Sequence, residues 1–267
     1  MASGTRASSA RKRGRRLSVA QAVALGLIQG PAELLPVSSS GHLVLVPALL
    51  GWPYARLPAD VRKAFEVALH TGAGVALLWV LRDAARSAAR DPVGTTLLTA
   101  PAAALALTFE DLIEERASTP RVAASAQIVS AVAMGLARPG ERTSPSALDR
   151  IVIGAAQACA LVPGVSRNGA TLTAARGLGF DRETAARISW QAGLPIIGGA
   201  TLLKLFRLSQ RGLDRDLRAP FAAGAAAAFA STLAASPLLR VRRQRAIAAY
   251  RVALGAFALH RLEWPRG

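Results

Sequence analysis

The chain has a single cysteine, Cys159, in 267 residues, which excludes an internal disulfide and any cysteine-based metal cluster. Apolar neighbours read this residue as packing rather than chemistry. Aromatic residues are sparse, at 5% against 52% hydrophobic, so the apolar character comes from Ala, Leu and Val. Acidic residues are scarce as well: 16 Asp and Glu stand against 33 Lys and Arg, a formal charge of +17. Such an excess raises nucleic acid as a partner. The basic residues are spread through every loop instead of gathering on one face, which speaks against nucleic acid and suits anionic lipid headgroups and an anionic substrate.

Mean hydropathy is +0.31, modest for a membrane protein, and a soluble Ala-rich helical protein has a similar composition. Segmentation decides between them. Apolar stretches run over Ala64–Leu81, Pro92–Phe109, Val122–Ala137, Ile188–Phe206, Ala219–Leu239 and Ala246–Leu262, most of them near the length of a bilayer crossing. Six crossings are expected. Within them, Lys204 snorkels to the interface, Glu66 sits at the membrane edge, and His70 lies deep enough to need a partner; as a lone His in a helix it is read as structural. Arg82 and Asp83 read as a solvated boundary pair. Arg6, Arg11, Lys12, Arg13, Arg15 and Arg16 precede the apolar run Leu17–Ile28. No small-residue cleavage site follows that run, so residues 1–16 read as a disordered basic arm, held on the cytoplasmic side by the positive-inside rule.

Two polar segments interrupt this apolar chain and echo each other. In Gln29-Gly-Pro-Ala-Glu33-Leu-Leu-Pro36-Val-Ser38-Ser39-Ser40-Gly41-His42 and in Gln157-Ala-Cys-Ala-Leu-Val-Pro163-Gly-Val-Ser166-Arg167-Asn168-Gly169, a Gln lies twelve residues before a Gly that follows three polar residues. This register aligns Ser38 with Ser166 and Ser39 with Arg167. Leu17–Ile28 and Leu43–Leu50 around the first motif, and Ile151–Val162 and Ala170–Gly179 around the second, are each too short to span a bilayer. Each pair therefore reads as a re-entrant hairpin with its motif at the tip. The expected fold is an all-α membrane protein, an inverted-topology repeat of six transmembrane helices plus two re-entrant helical hairpins. It forms a single integral membrane domain over 17–267, with halves of about 17–137 and 147–262. Three crossings per half turn the second hairpin to enter from the opposite face, which places Glu33, Ser39 and His42 within reach of Ser166 and Arg167 near the midplane.

The residue types at the tips are those of phosphate chemistry. Arg167, flanked by Ser166, Asn168 and Gly169, offers a planar guanidinium, hydroxyl and amide donors, and a backbone that an anion approaches closely. A half-helix opening at Ala170 would add a positive dipole end. The structural alternative is an Arg that pairs with Glu33 or caps carbonyls. Glu33 is costly in hydrocarbon unless it holds a proton, a cation or an Arg. Ser38, Ser39 and Ser40 are hydroxyl nucleophiles; Ser39, opposite Arg167, is the reactive candidate, and Ser40 is assigned to backbone hydrogen bonding. His42 is placed to handle the proton. Gln29 and Gln157 either orient water or phosphate or join the hairpins.

Taken together these segments resemble the bacterial undecaprenyl-diphosphate phosphatase family, also called bacitracin-resistance proteins, over about Leu17 to Leu262. The most specific parts are Pro36-Val-Ser-Ser-Ser-Gly-His42 and Pro163-Gly-Val-Ser-Arg-Asn-Gly-Ala-Thr171, with support from Phe65 to Gly72, Phe109 to Glu114 and Gly177 to Ile188. The resemblance implies hydrolysis of undecaprenyl diphosphate to the monophosphate carrier of cell-wall synthesis, in the bacterial plasma membrane. It implies Glu33, Ser39, His42 and Arg167 as catalytic residues. Gln29, Ser38, Gln157, Ser166, Asn168 and Gly169 are expected around the substrate, and Glu33 holds Mg2+ or Ca2+. Gln29 stands where many relatives have Glu, and Asn168 where Ser is commoner. Undecaprenyl diphosphate and membrane lipids are the expected partners, and a homodimer stays open as a further one. The diphosphate is released on the outer face, so the cavity is expected to open outward. A polyprenyl-phosphate flippase on the same inverted-repeat scaffold is the alternative.

Overall fold

Proline decides where the helices of both motifs stop. The structure, a computed structural model, describes residues 17–117, 119–211, 214–240 and 243–263; the arm expected over residues 1–16 lies outside the described residues. In the first motif α1 (Val19–Leu34) ends where Leu35 turns extended, at φ −88° and ψ 152°, the region imposed on a residue that precedes proline, here Pro36. The second motif repeats this: α7 (Ala147–Ala158) runs through a short 3-10 turn, and Val162 before Pro163 is extended at φ −79° and ψ 120°. Each break is followed by a serine cap. Ser38 accepts from the Gly41 N–H and opens α2 (Ser39–Leu49), and Ser166 accepts from the Gly169 N–H and opens α8 (Arg167–Gly177). The helix thus starts at Arg167, three residues before the expected Ala170, because Ser166 supplies the side-chain oxygen that a first turn needs.

The longer helices are α3 (Ala59–Val80), α5 (Pro92–Ala117), α6 (Pro120–Leu136), α9 (Arg182–Arg211), α10 (Arg215–Ala234) and α11 (Gln244–Glu263), with the short α4 (Arg82–Arg90) between α3 and α5. Among the described residues there is no strand, only an isolated bridge between Arg142 and Phe180. By length and hydropathy one helix, over Pro92–Phe109, is apolar enough to cross a membrane; α3 with α4 is a second candidate, bent by 79° at their junction. The other long helices carry Gly, Ser, Thr or Arg among their Ala residues, which lowers their hydropathy. Asp83 bonds Arg86 at 2.9 Å, and Arg82 lies over the Trp79 ring. The expected Arg82–Asp83 pair does not form, since adjacent helical residues point apart.

Packing interleaves the two halves of the sequence. The first core gathers Leu17 and Leu25 of the α1 segment, Leu43 of α2, Tyr54 of the following turn, Phe65 and Leu69 of α3, and Phe221 of α10. The second gathers Leu98 of α5, Ile153 of α7, Ala175 of α8, and Ala185, Ile188 and Ala192 of α9. Each short helix pair is therefore clasped by the long helix that follows it and by one from the other half. Gly26 and Gly30 let α1 lie directly on Gly224 and Ser231 of α10. The loop that feeds α7 is braced outside the core: Arg142 donates to both Asp149 oxygens, at 3.2 and 2.7 Å, and to the Leu178 carbonyl at 2.8 Å. That fork holds the Asp149 carboxyl down to about 2.

Candidate active site

Both helix breaks open onto one cavity of about 340 Å³. Glu33 in the last turn of α1, Ser38 to Ser40 at the start of α2, and Ser166 to Asn168 at the start of α8 form its polar end. Glu33 is buried and is the hub. Its Oε2 accepts from Ser39 Oγ at 2.6 Å and from Gln29 Nε2 at 3.2 Å, and its Oε1 accepts from Arg167 Nη2 at 3.3 Å. The register read from the sequence thus brings Ser39 and Arg167 onto the same carboxylate. Arg167 Nη1 is buried without a hydrogen-bond partner, although a guanidinium in this setting normally spends all its donors. Room for it comes from α9: a Cβ built on Gly193 would fall on Arg167 Nη1.

His42 and His70 stand toward the cavity in the reverse of the order expected. His42 is not among the residues that line the cavity. Its Nδ1 lies 2.7 Å from the Ser38 carbonyl and so carries the proton, and its Nε2 accepts from the Tyr250 hydroxyl at 2.7 Å. Placed four residues along α2 from the cap, the ring reaches back to its own turn and then toward α11. His70, read as structural, does line the cavity; its Nδ1 donates to the Glu66 carbonyl at 2.8 Å, and its Nε2 stands 3.9 Å from Glu33 Oε2. Lys63 and Glu66 share that wall of α3.

The remaining predicted residues divide by what they touch. Ser38 and Ser166 cap their helices while lining the cavity. Ser40 also lines it, beyond its assigned backbone role, with its hydroxyl 3.4 Å from that of Ser38. Asn168 donates to the Leu34 carbonyl at 3.3 Å and accepts from Ser189 Oγ at 2.8 Å, which fastens α8 to α1 and α9. Gly169 gives its N–H to Ser166, and Gln29 sits behind Glu33; neither lines the cavity. Gln157 lines it and donates to the Leu98 carbonyl at 3.4 Å. The neighbouring Cys159 is exposed, contrary to the packing role expected of it.

Among the described residues no group of three or more His, Cys, Asp or Glu gathers as a metal-binding set. The oxygen ligands on the cavity wall are the Glu33 carboxylate and the Gln157 amide oxygen, which is buried and without a partner; the Gln29 amide oxygen, also unpartnered, lies behind Glu33. One carboxylate and neutral oxygens suit a hard cation whose shell is completed by phosphate oxygens and water.

Past the polar end the wall turns apolar, with Ala102, Ala106 and Ile113 of α5 and Ile196 and Ile197 of α9. The cavity follows α3 back to Lys63 near its start and α5 forward to Ile113 near its end. The start of α3 lies beside Leu17, which packs with Tyr54, Leu57 and Phe65. The cavity therefore reaches toward the end of the fold where the described chain begins.

Arg251 lies outside both motifs. It is fully buried on α11 and bonds the carbonyls of Pro36 and Gly164. A charge in the middle of the apolar run Ala246–Leu262 is the sequence signal that marks it.

Comparison with known proteins gives the family of the chain. The family described as bacitracin resistance protein BacA matches residues 22–257. The chain is 38% identical to an undecaprenyl-diphosphatase of Geobacter sulfurreducens over 84% of its own length and 90% of the relative's. It is 36% identical to one of Geotalea daltonii over 90% and 96%, and 40% identical to one of Geobacter metallireducens over 76% and 81%. With the match spanning both motifs and most of the chain, the chain belongs to the bacitracin resistance protein BacA family.

Proposed function

We propose that this protein hydrolyses undecaprenyl diphosphate to undecaprenyl phosphate and inorganic phosphate. The observation that carries the reading is the Ser39–Glu33–Arg167 cluster, a hydroxyl 2.6 Å from a carboxylate oxygen with a guanidinium on the other oxygen. The apolar wall beyond it suits a polyprenyl chain. Relatives named undecaprenyl-diphosphatase support the same substrate.

Ser39 gives its proton to Glu33 Oε2, the atom it already faces, as Oγ attacks the terminal phosphorus. The bond from that phosphorus to the bridging oxygen breaks, undecaprenyl phosphate leaves, and water releases phosphate from the serine. Glu33 acting on water in place of Ser39 reaches the same products with the same groups. Arg167 Nη1, free of partners, takes a phosphate oxygen and stabilises the charge of the transferring group. A Mg2+ or Ca2+ ion held by Glu33 with the Gln157 amide oxygen would neutralise further phosphate charge. His42 positions the first turn through Ser38 and Tyr250.

The same proposal covers the setting. Large apolar side chains face outward, Trp79 at 68%, Leu107 at 74%, Val129 at 70% and Leu202 at 70% exposed, while Gln29, Gln127 and Arg251 are fully buried. That inside-out distribution suits lipid as the surrounding medium. The α1–α2 pair with α3 and α10, and the α7–α8 pair with α9 and α5, correspond when the halves are exchanged. This exchange supports six crossings with two re-entrant hairpins in an inverted repeat.

Phosphate release from a C55 diphosphate by the purified protein in detergent tests the reading. Release at a rate that falls with Ser39→Ala is expected; lipid movement across vesicles with no phosphate release would favour a flippase instead.

A further inference from the structure

Arg251 is 0% exposed, and its guanidinium reaches both motifs. Its Nη1 donates to the Pro36 carbonyl at 3.2 Å, in the first helix break, and its Nη2 donates to the Gly164 carbonyl at 2.9 Å, in the second. Nη2 also donates to Ser130 Oγ at 2.6 Å on α6, and Ser130 donates in turn to the Ala126 carbonyl. A buried guanidinium that spends its donors on backbone carbonyls is costly to desolvate, and an apolar residue would pack α11 against α6 without that cost. What an apolar residue lacks is a rigid planar fork that bonds two separate turns at once.

The two turns need such a tie because each is held in a conformation unusual for the chain. Ser38 has φ +70°, the one positive φ outside glycine among the described residues, and Gly164 has φ +98°. Such backbone persists where its surroundings over-determine it. At Gly164 a Cβ would collide with the Ala123 carbonyl of α6, so this turn sits hard against the helix that carries Ser130. Tyr250, the neighbour of Arg251 on α11, completes the arrangement by holding His42, whose other nitrogen bonds the Ser38 carbonyl. The direct hydrogen bonds between the motifs lie away from the Pro36 and Gly164 turns, at Glu33–Arg167 and Leu34–Asn168.

We propose that Arg251 is a positioning residue for the hydrolase reaction: by bonding the Pro36 and Gly164 carbonyls with one guanidinium, it fixes the spacing of the two motif turns and so of Ser39 relative to Arg167. The role rests on the phosphatase reading for its kinetic consequence and on geometry alone for the tie between the turns. Arg251 touches neither Glu33, Ser39 nor Arg167 and acts through backbone. A misplacement of about 1 Å between reacting groups costs about 10²-fold in rate.

The test uses the full-length protein in detergent with Arg251→Lys, which keeps the charge and loses the fork, Arg251→Met, which removes the buried charge, and Ser130→Ala, which leaves both turn contacts in place. Hydrogen–deuterium exchange over 35–41 and 162–169 is measured beside thermal unfolding and the kinetics of phosphate release. In Arg251→Lys, exchange is expected to rise in both turns together while the rest of α6 and α11 stays protected. Its kcat is expected to fall by about 10²-fold at little changed KM, with Ser130→Ala close to wild type. If Arg251→Lys does not fold, Arg251→Met carries the same measurements. Unchanged exchange in either turn, or normal kcat in a folded Arg251 variant, would overturn the proposal. A wild type that released no phosphate would sink the hydrolase reading, and the exchange data would still decide whether Arg251 joins the turns.

Discussion

Arg167 Nη2 donates to Glu33 Oε1 at 3.3 Å across 134 residues of sequence, so the anion-binding group of one motif rests on the carboxylate of the other. Each charge makes the burial of its partner tolerable, and removal of either leaves the other buried and unpaired. Substrate entry is then an exchange, in which phosphate oxygens share a guanidinium that already has one nitrogen free.

Arg167→Ala is expected to lower kcat/KM by about 10²–10³-fold, the scale of a lost transition-state donor. Arg167→Lys keeps the charge without the bidentate fork and should fall between that variant and the wild type. Phosphate release by variants with wild-type thermal unfolding checks both, and full turnover by the alanine variant would remove Arg167 from the mechanism.

Gly193→Ala tests the space behind the guanidinium. Its Cβ would take the place of Arg167 Nη1, whereas a Cβ on Gly198 meets nothing within 4 Å. Gly193→Ala should lower kcat by up to about 10²-fold through displacement of Arg167, and Gly198→Ala should leave it unchanged. Equal kinetics for the two would mean that the guanidinium is free to relocate.

Chelation should abolish phosphate release, and added magnesium or calcium should restore it. Glu33→Gln should raise the cation concentration needed for half-maximal rate, because an amide is a poorer ligand for a hard cation than a carboxylate. Undiminished hydrolysis by the wild type in excess chelator is the contrary outcome.

The direction of the cavity is open to thiol labelling in a Cys159→Ser background. Ser40→Cys lines the cavity and Arg56→Cys lies in the turn near Leu17, while Asp83→Cys sits on the strongly exposed α4 at the opposite helix end. With an outward cavity, a membrane-impermeant reagent on intact cells should modify the first two and spare the third. Modification of Asp83→Cys alone would place the site on the cytoplasmic face.

Acid should loosen the loop that feeds α7. The Arg142 hydrogen bonds hold the Asp149 carboxyl down to about 2 in the folded chain, against an ordinary 3.8. The stability from this contact is complete above 3.8 and is withdrawn as pH falls toward 2. Thermal unfolding between pH 5 and pH 2 should show this loss in the wild type and a smaller one in Asp149→Asn; parallel curves would refute it.

Local rules make much of the fold and site legible in the sequence. The breaks at Leu35 and Val162 follow from the prolines after them, and the caps at Ser38 and Ser166 follow from serine ahead of a helical run, so the alignment of Ser39 with Arg167 can be read from the chain alone. Glu33 is legible too, because a carboxylate in an apolar chain demands a partner. The seat of Arg167 is not, because Gly193 belongs to a helix with no polar motif of its own and matters only once α9 lies against α8.

The sequence by itself determined where the chain breaks, which residues the breaks display and that the two displays are related, since these depend on sterics and hydrogen bonds within a few residues. Only the tertiary structure decided which histidine meets Glu33, that Arg251 spans both turns, and that the cavity reaches the end where the described chain begins. His42 belongs to the first polar motif, and His70 stands alone on an apolar helix. The rotation of α3 against α1, set by packing among helices far apart in sequence, turns one of them toward the carboxylate and leaves the other to Tyr250.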